Sequence, residues 1–507
     1  MARPDTLAEG PITMSAPPGA EGEDTVSTDP GLRRLALRTL LAAFPGHTAP
    51  GWAEQLLGEG LAGYTLFGFN IADTAQVATL TAQLRAARRD AIIAIDEEGG
   101  DVTRLAHRTG SPYPGNAALG AIGDLDLTRR VYHAIGRELA DVGINLDLAP
   151  TVDVNTATDN PVIGTRSFGA DPVRVAAHAA AAVVGLQQAG VAACAKHFPG
   201  HGATVADSHL ELPTVDVTPQ LLRDRELPPF AAVIAAGTKA IMTAHIRVPA
   251  ITGDDPATFT EALLVDVLRG EYGFTGTVVT DALEMKGASR SAGGIGPAAV
   301  RALRAGADLL CLGADIELEI VEEAAAAIAG ALADGSLSLA RVEQAVARNE
   351  ALAAWTHGIE DVELSPRLGY DAARRAVSVE GSLSGFEHPF VVQLRAGHTI
   401  AEGAVPWGLS PHLDGTPQLA VAADETSANA LIDAAAGRPI VLVGRHTHRN
   451  AAARSLAEQL AAVHPLAVVE MGWPAGWRPN GVKAFVTTYG ASHANGRAAA
   501  EVLGLVA

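Results

Sequence analysis

The sequence predicts an α/β protein: a (β/α) barrel followed by a smaller α/β domain. Three observations carry that expectation. Over residues 31–357 a short apolar run, a polar loop and an Ala-rich helical stretch recur. The runs are continuously apolar rather than alternating, as parallel strands covered on both faces are. Finally, Asp96, Asp147, Lys196, His197, His245 and Asp281 fall in or just after the C-terminal ends of these runs. In a closed barrel such ends converge on one mouth, whereas so many titratable groups in a sealed core would be costly. A doubly wound sheet of the same length is the alternative.

The strand candidates are YTLFGF (64–69), AIIAI (91–95), INLDLA (144–149), VAACA (191–195), AIMTA (240–244), GTVVT (276–280) and ADLLCL (307–312). Seven runs are identifiable, and an eighth is not. Between them lie helical stretches such as LTAQLRAARRD and VRVAAHAAAAVVGLQQAG, the latter closed by Gly190 as a C-cap. Pro and Gly break the pattern after residue 357, and residues 358–376 read as a linker. Beyond it FVVQLR (390–395), LAVAAD (419–424), PIVLVGR (439–445), PLAVVEM (465–471) and KAFVTTYG (483–490) alternate with helices over 377–507. The first 30 residues, rich in Pro, Gly, Asp and Glu, read as a disordered leader, with Met14 an alternative start.

Composition narrows the function classes. Asp and Glu number 57 against 37 Lys and Arg, a net charge of −20 that argues against nucleic acid or an anionic membrane as main partner. The basic residues are 33 Arg and only four Lys: Lys196, Lys239, Lys286 and Lys483. Each retained lysine therefore invites inspection. Cys194 and Cys311 sit in apolar runs and offer neither a disulfide framework nor a cysteine zinc site. Without a signal-peptide pattern or an apolar run of membrane-spanning length, the expected location is the cytoplasm.

The most informative stretch is KHFPGHGATVADSHLELP, residues 196–213, which gathers His197, His201 and His209 within 13 residues. A metal site is one reading, because His197 and His201 are spaced i, i+4. Pro199, Gly200 and Gly202 would disrupt a helix across that spacing, so the two rings need not share a face. Solvated loop histidines are another. Acid/base chemistry is the third: Asp207, two residues before His209, can hold one imidazole nitrogen and leave the other to move a proton near neutral pH. The glycines suit a loop that closes over substrate. Asp281, in VVTDALEM, stands at a strand tip as a rigid carboxylate or as the N-cap of the next helix. In AIDEEGGDVTRL, Asp96, Glu97 and Arg104 surround a Gly99-Gly100 turn, where an Asp and an Arg can grip sugar hydroxyls or simply meet solvent.

The segments IDEEGGDVTRL, NLDLAPTVDVN, NPVIGTRSFG, KHFPGHGATVADSH, AHI, PATFT and TDALEM, in that order, resemble glycoside hydrolase family 3. The KHFPGHG-x4-DSH form resembles its β-N-acetylglucosaminidase branch, and the likeness spans about residues 35–355. The resemblance implies a (β/α)8 TIM-like barrel followed by an α/β sandwich domain. It implies Asp281 as catalytic nucleophile, His209 as general acid/base and Asp207 as its partner. It further implies that Asp96, Arg104, Arg166, Lys196 and His197 bind hydroxyls of the terminal sugar, with His245 a weaker candidate. Ala282 departs from the pattern, since a second acidic residue often follows the nucleophile in this branch. With the acid/base supplied by the barrel, the C-terminal domain need not be catalytic.

The implied activity is retaining, exo-acting hydrolysis of terminal β-linked N-acetylglucosamine from muropeptide fragments, as in peptidoglycan recycling, or from chitooligosaccharides. It needs no metal and no organic cofactor, and the partner is a small carbohydrate. Because His209 is not itself an anionic base, inorganic phosphate in place of water is the alternative, making the enzyme a β-N-acetylglucosaminide phosphorylase with the same Asp and His residues. A non-catalytic sugar-binding protein would have no use for a poised nucleophile.

Overall fold

The computed structural model describes residues 29–208, 211–314, 316–355 and 358–506. Eight parallel strands form the first sheet: β1 (Leu40–Ala42), β2 (Gly63–Leu66), β3 (Ile92–Ile95), β4 (Leu146–Asp147), β5 (Ala192–Phe198), β6 (Ala240–Thr243), β7 (Thr277–Thr280) and β8 (Leu310–Cys311). They run in sequence order from β1 to β7, and β8 pairs with β1. A parallel bridge between Val279 and Leu309, with the Thr280 amide donating to Leu309 O at 2.9 Å, joins β7 to β8 and closes the barrel. The doubly wound alternative therefore falls. The strand missing from the sequence reading is β1, three apolar residues embedded in a helix-like stretch with no polar residue at their end.

The continuously apolar runs are explained by where alternate residues go. Ile93 and Ile95 pack outward against the helices, within the large core shared by barrel and helical ring. Ile92 and Ala94 point inward to meet Leu146, Ala192, Cys194, Ala240 and Leu309 in the barrel interior. Both faces of each strand are thus buried, which is why no period-two polarity shows. Cys194 and Cys311 are buried free thiols.

The second sheet contains β9 (Ser378–Gly381), β10 (Phe390–Leu394), β11 (Gln418–Val421), β12 (Ile440–Gly444), β13 (Leu466–Glu470) and β14 (Ala484–Thr487). Their order is β11-β10-β12-β13-β14-β9, and only β9 is antiparallel to its neighbour. Ile440 and Leu442 face the helices Ala428–Ala435 and Ala451–Val463, while Val441 and Val443 face the helix His493–Val502. The result is a helix-sheet-helix sandwich. The segment read as linker carries a helix, Leu368–Ala376, which packs against His493–Val502. Among the described residues no helix is long and apolar enough to cross a membrane.

The two domains meet through buried charge. Arg445, just after β12, lies 3.0 Å from Asp101 of the barrel and 2.6 Å from Glu402 of its own domain. Asp101 also accepts from the Ala491 amide at 2.7 Å and from Thr165 Oγ1 at 2.6 Å. Arg104 of the barrel reaches across in turn, donating to the carbonyls of Ala401 (2.7 Å) and Glu402 (3.3 Å).

Candidate active site

A cavity of about 440 Å³ opens at the C-terminal ends of the barrel strands. Asp96, Arg104, Arg166, Lys196, His197 and Asp281 all line it, drawn together from the ends of four strands and the loops that follow them. Part of its wall is the strap 400–405 of the second domain. The second domain therefore reaches the site: its backbone carbonyls hold Arg104, and its strap lines the cavity.

Lys196 is the electrostatic centre. It extends β5 past the predicted end of that strand, and its Nζ lies 2.5 Å from Asp96 and 2.9 Å from Glu98. Glu98 also takes a two-pronged contact from Arg166, at 2.7 and 3.0 Å, and a hydroxyl from Thr151 at 3.0 Å. Burial on its own would push the Glu98 carboxyl up and the Lys196 ammonium down. The charges win in both cases: Arg166 and Lys196 hold Glu98 well below the usual carboxylate range, and Asp96 with Glu98 holds Lys196 well above the usual ammonium value. Glu98 and Lys196 are therefore both ionised at neutral pH. Only Asp96 of this cluster keeps a partly exposed carboxylate on the cavity, 3.9 Å from Arg104.

Glu98 was not singled out in the sequence, although it stands in the IDEEGG turn. Its neighbour Glu97 points the other way and accepts the Arg104 and Leu105 amides at 2.8 and 2.9 Å. Burial raises the Glu97 carboxyl to about 7, and its task is to fold the turn that presents Arg104.

Asp153, within the TVDVN segment, is a second residue the sequence reading passed over. Its Oδ2 lies 2.7 Å from His197 Nδ1, and its Oδ1 accepts the His201 amide at 2.6 Å. A carboxylate on Nδ1 selects the Nδ1–H tautomer and turns Nε2 toward Arg166, 3.4 Å away. Burial would raise the Asp153 carboxyl, but His197 and His201 hold it low.

His201 is an anchor rather than a ligand. Burial and the neighbouring His197 push it down to about 4, so it is neutral, with Nδ1 at 2.8 Å from Thr204 Oγ1 and Nε2 at 3.2 Å from Ser208 Oγ. Gly202 passes so close to Val154 that a Cβ would sit 2.0 Å from its carbonyl oxygen. The loop expected to close over substrate is thus pinned to the barrel through residue 204. Ser208 reaches the cavity wall; Asp207 precedes it, while His209 and the Asp207–His209 pairing lie outside the described residues.

Asp281 follows β7 directly, and its Oδ1 accepts the Ala282 amide at 2.8 Å. Ala282 leaves position 282 without a carboxylate, and Glu284, two residues on, lines the cavity and accepts the Ala314 amide at 2.6 Å. His245 is corrected. It is fully buried behind Asp281, with Nδ1 at 2.8 Å from Thr258 Oγ1 and Nε2 at 3.0 Å from Ala282 O, and it does not line the cavity. A polar residue at a strand end can face either the mouth or the packing behind it, and His245 faces the packing.

The barrel mouth thus sets the Asp281 carboxylate in one cavity with the Asp96, Lys196, Arg166 and His197 cluster. The chain belongs to glycoside hydrolase family 3, since residues 41–352 match the model described as the Glycosyl hydrolase family 3 N terminal domain. Beta-hexosaminidase A of Pseudoalteromonas piscicida is 36% identical over 325 residues, which cover 59% of this chain and 54% of that protein. The chain thus spans about half the length of that relative. Beta-hexosaminidase of Stenotrophomonas maltophilia (strain K279a) is 40% identical over 286 residues, covering 55% of this chain and 82% of that protein. Among solved structures, a glycoside hydrolase family 3 β-N-acetylglucosaminidase from Paenibacillus sp. str. FPU-7 superposes with a TM-score of 0.82 at 33% identity, covering 94% of this chain and 97% of that one. The match includes the second domain. A β-glucoside phosphorylase superposes at 0.74 with 18% identity and shares the fold alone.

The interdomain contact can be tested directly. Arg445→Ala leaves Asp101 and Glu402 buried without their cation, a change that costs about 3–5 kcal/mol when a buried pair is broken. The expected result is a lower thermal midpoint together with a raised KM and a smaller change in kcat, because the strap that walls the pocket loses its tether.

Proposed function

We propose that the chain is a retaining, exo-acting β-N-acetylglucosaminidase. One observation supports this reading above the others: Asp281, the proposed nucleophile, and the Asp96, Lys196, Arg166 and His197 cluster, the proposed sugar-binding groups, line one cavity. The terminal β-linked N-acetylglucosamine of a muropeptide fragment or chitooligosaccharide enters that cavity. His209, with Asp207, protonates the glycosidic oxygen while Asp281 attacks the anomeric carbon. His209 then takes a proton from water, and the freed sugar keeps its β configuration. Lys196 suits its task as a compact donor to several hydroxyls, which the planar guanidinium of an arginine does not replace. A cytoplasmic setting suits fragments imported for recycling.

The balance of charge favours water over phosphate. The cavity is lined by five carboxylates, Asp96, Glu98, Asp281, Glu284 and Glu402, against three permanent cations, each already facing a carboxylate or carbonyl oxygens. A phosphate acceptor would enter a site with net negative charge. The test is product identity: free N-acetylglucosamine is expected at saturating phosphate, and N-acetylglucosamine 1-phosphate as the main product would establish the phosphorylase instead. In the same assay the pH profile of kcat/KM should be bell-shaped, and His209→Ala should lose its basic limb.

A further inference from the structure

The cavity does not end at the sugar-binding cluster. Phe69 and Ala314 line both it and a second hollow of about 220 Å³, completed by Pro45, Ile316 and Glu317. At the junction the Phe69 ring is 45% exposed, unusual for so large an apolar side chain, and it stacks on Phe67 with ring centres 5.6 Å apart and planes 20° apart. The turn that carries it is rigid: Asn70, buried, accepts the Phe67 amide at 2.9 Å and donates to the carbonyls of Phe44 and Gly46, both at 2.8 Å. Ile400, on the second domain's strap, adds another exposed apolar group to the cavity wall, at 60% exposure. Fixed apolar surface left open at a pocket mouth marks a binding site.

Resting on the β-N-acetylglucosaminidase reading, we infer that Phe69 and the hollow beyond it form the leaving-group subsite, and that its occupant is a neutral β-linked sugar rather than an anionic muramyl peptide. A pyranose with equatorial substituents presents a flat face of C–H bonds, which an aromatic ring covers well. The charge around the hollow selects between the two leaving groups. Its described lining includes Glu317 and no cation, and Glu284 lies beside it, holding the Ala314 amide. The carboxylates of a lactyl-peptide stem would face Glu317 with no cation in the hollow's described lining. The uncharged second and third rings of a chitooligosaccharide meet no such penalty. The substrate class is therefore short, neutral, β-linked N-acetylglucosamine chains.

The experiment compares kcat/KM on three substrates: methyl β-N-acetylglucosaminide, whose leaving group is too small to reach Phe69, tri-N-acetylchitotriose, and N-acetylglucosaminyl-anhydromuramyl peptide. Wild-type enzyme should prefer the trisaccharide to the muramyl peptide. Phe69→Ala should lower the ratio of trisaccharide to methyl glycoside by about three- to tenfold, the range that one aromatic contact supplies. Glu317→Arg, at a helix N-cap whose side chain makes no capping bond, should raise the ratio of muramyl peptide to trisaccharide. Unchanged ratios in both variants, or a wild-type preference for the muramyl peptide, would overturn the inference while leaving the glycosidase reading intact. Failure to release N-acetylglucosamine from any of the three would overturn both.

Discussion

Asp281→Ala is expected to abolish release of N-acetylglucosamine while leaving the sugar pocket able to bind. The side chain stands at the tip of β7, where Ala282 N–H holds one carboxylate oxygen and β7 itself is locked into the barrel by its closure against β8. In the proposed mechanism, that placement gives a short carboxylate a fixed line of attack on an anomeric carbon. Removing it removes the covalent intermediate, and the loss in kcat/KM should be roughly 10⁴-fold or more, about 5.4 kcal/mol of transition-state stabilisation. The fold should persist, because Asp281 faces the cavity rather than the core. Binding of N-acetylglucosamine should persist as well, since Asp96, Lys196, Arg166 and His197 owe their geometry to one another and to Glu98 and Asp153. Added azide should restore turnover and yield the α-glycosyl azide, because its single displacement inverts the anomeric carbon, whereas the proposed α-linked glycosyl-Asp281 would be opened by water with a second inversion. Turnover equal to wild type would remove Asp281 from the mechanism.

Much of the barrel half of this site was legible in the sequence, for a physical reason. A polar residue at the end of an apolar run stands out, and the barrel topology sends every such end to one mouth. The same rule misled at His245, because it does not say whether the side chain turns inward or toward the packing behind. Strand β1 escaped because three residues with no polar end resemble a helix turn. Glu98 and Asp153 were visible as letters but not as functions. Nothing in a sequence shows that Glu97 and its neighbour point to opposite sides of one turn, or that an Asp in TVDVN meets a histidine 44 positions later. The strap 400–405 was the least legible part. It lies almost 300 residues from Arg104 and offers backbone carbonyls, which carry no side-chain signature.

Glu98→Gln is the variant that separates the architecture of the cluster from its chemistry. The substitution keeps the shape of the side chain but removes the one carboxylate shared by Arg166 and Lys196, both buried. Lys196 then relies on Asp96 and Arg166 loses its carboxylate partner, and breaking such a buried arrangement costs about 3–5 kcal/mol. The pH dependence has a definite sign. Because the native Glu98 carboxyl is held below its ordinary value, its contribution to stability is fully present above the unfolded carboxylate range near pH 4 and is lost only as pH falls through the lower native value. The stability gap between wild type and Glu98→Gln, read by urea unfolding, should therefore be constant from pH 5 to 8 and narrow in stronger acid. Adding Lys196→Met to Glu98→Gln removes one of the stranded cations, so part of the lost stability should return. Activity should not return with it, because Lys196 is a proposed donor to the sugar hydroxyls. A double variant that is no more stable than Glu98→Gln, or one that regains turnover along with stability, would show that Glu98 does not act through this ion cluster.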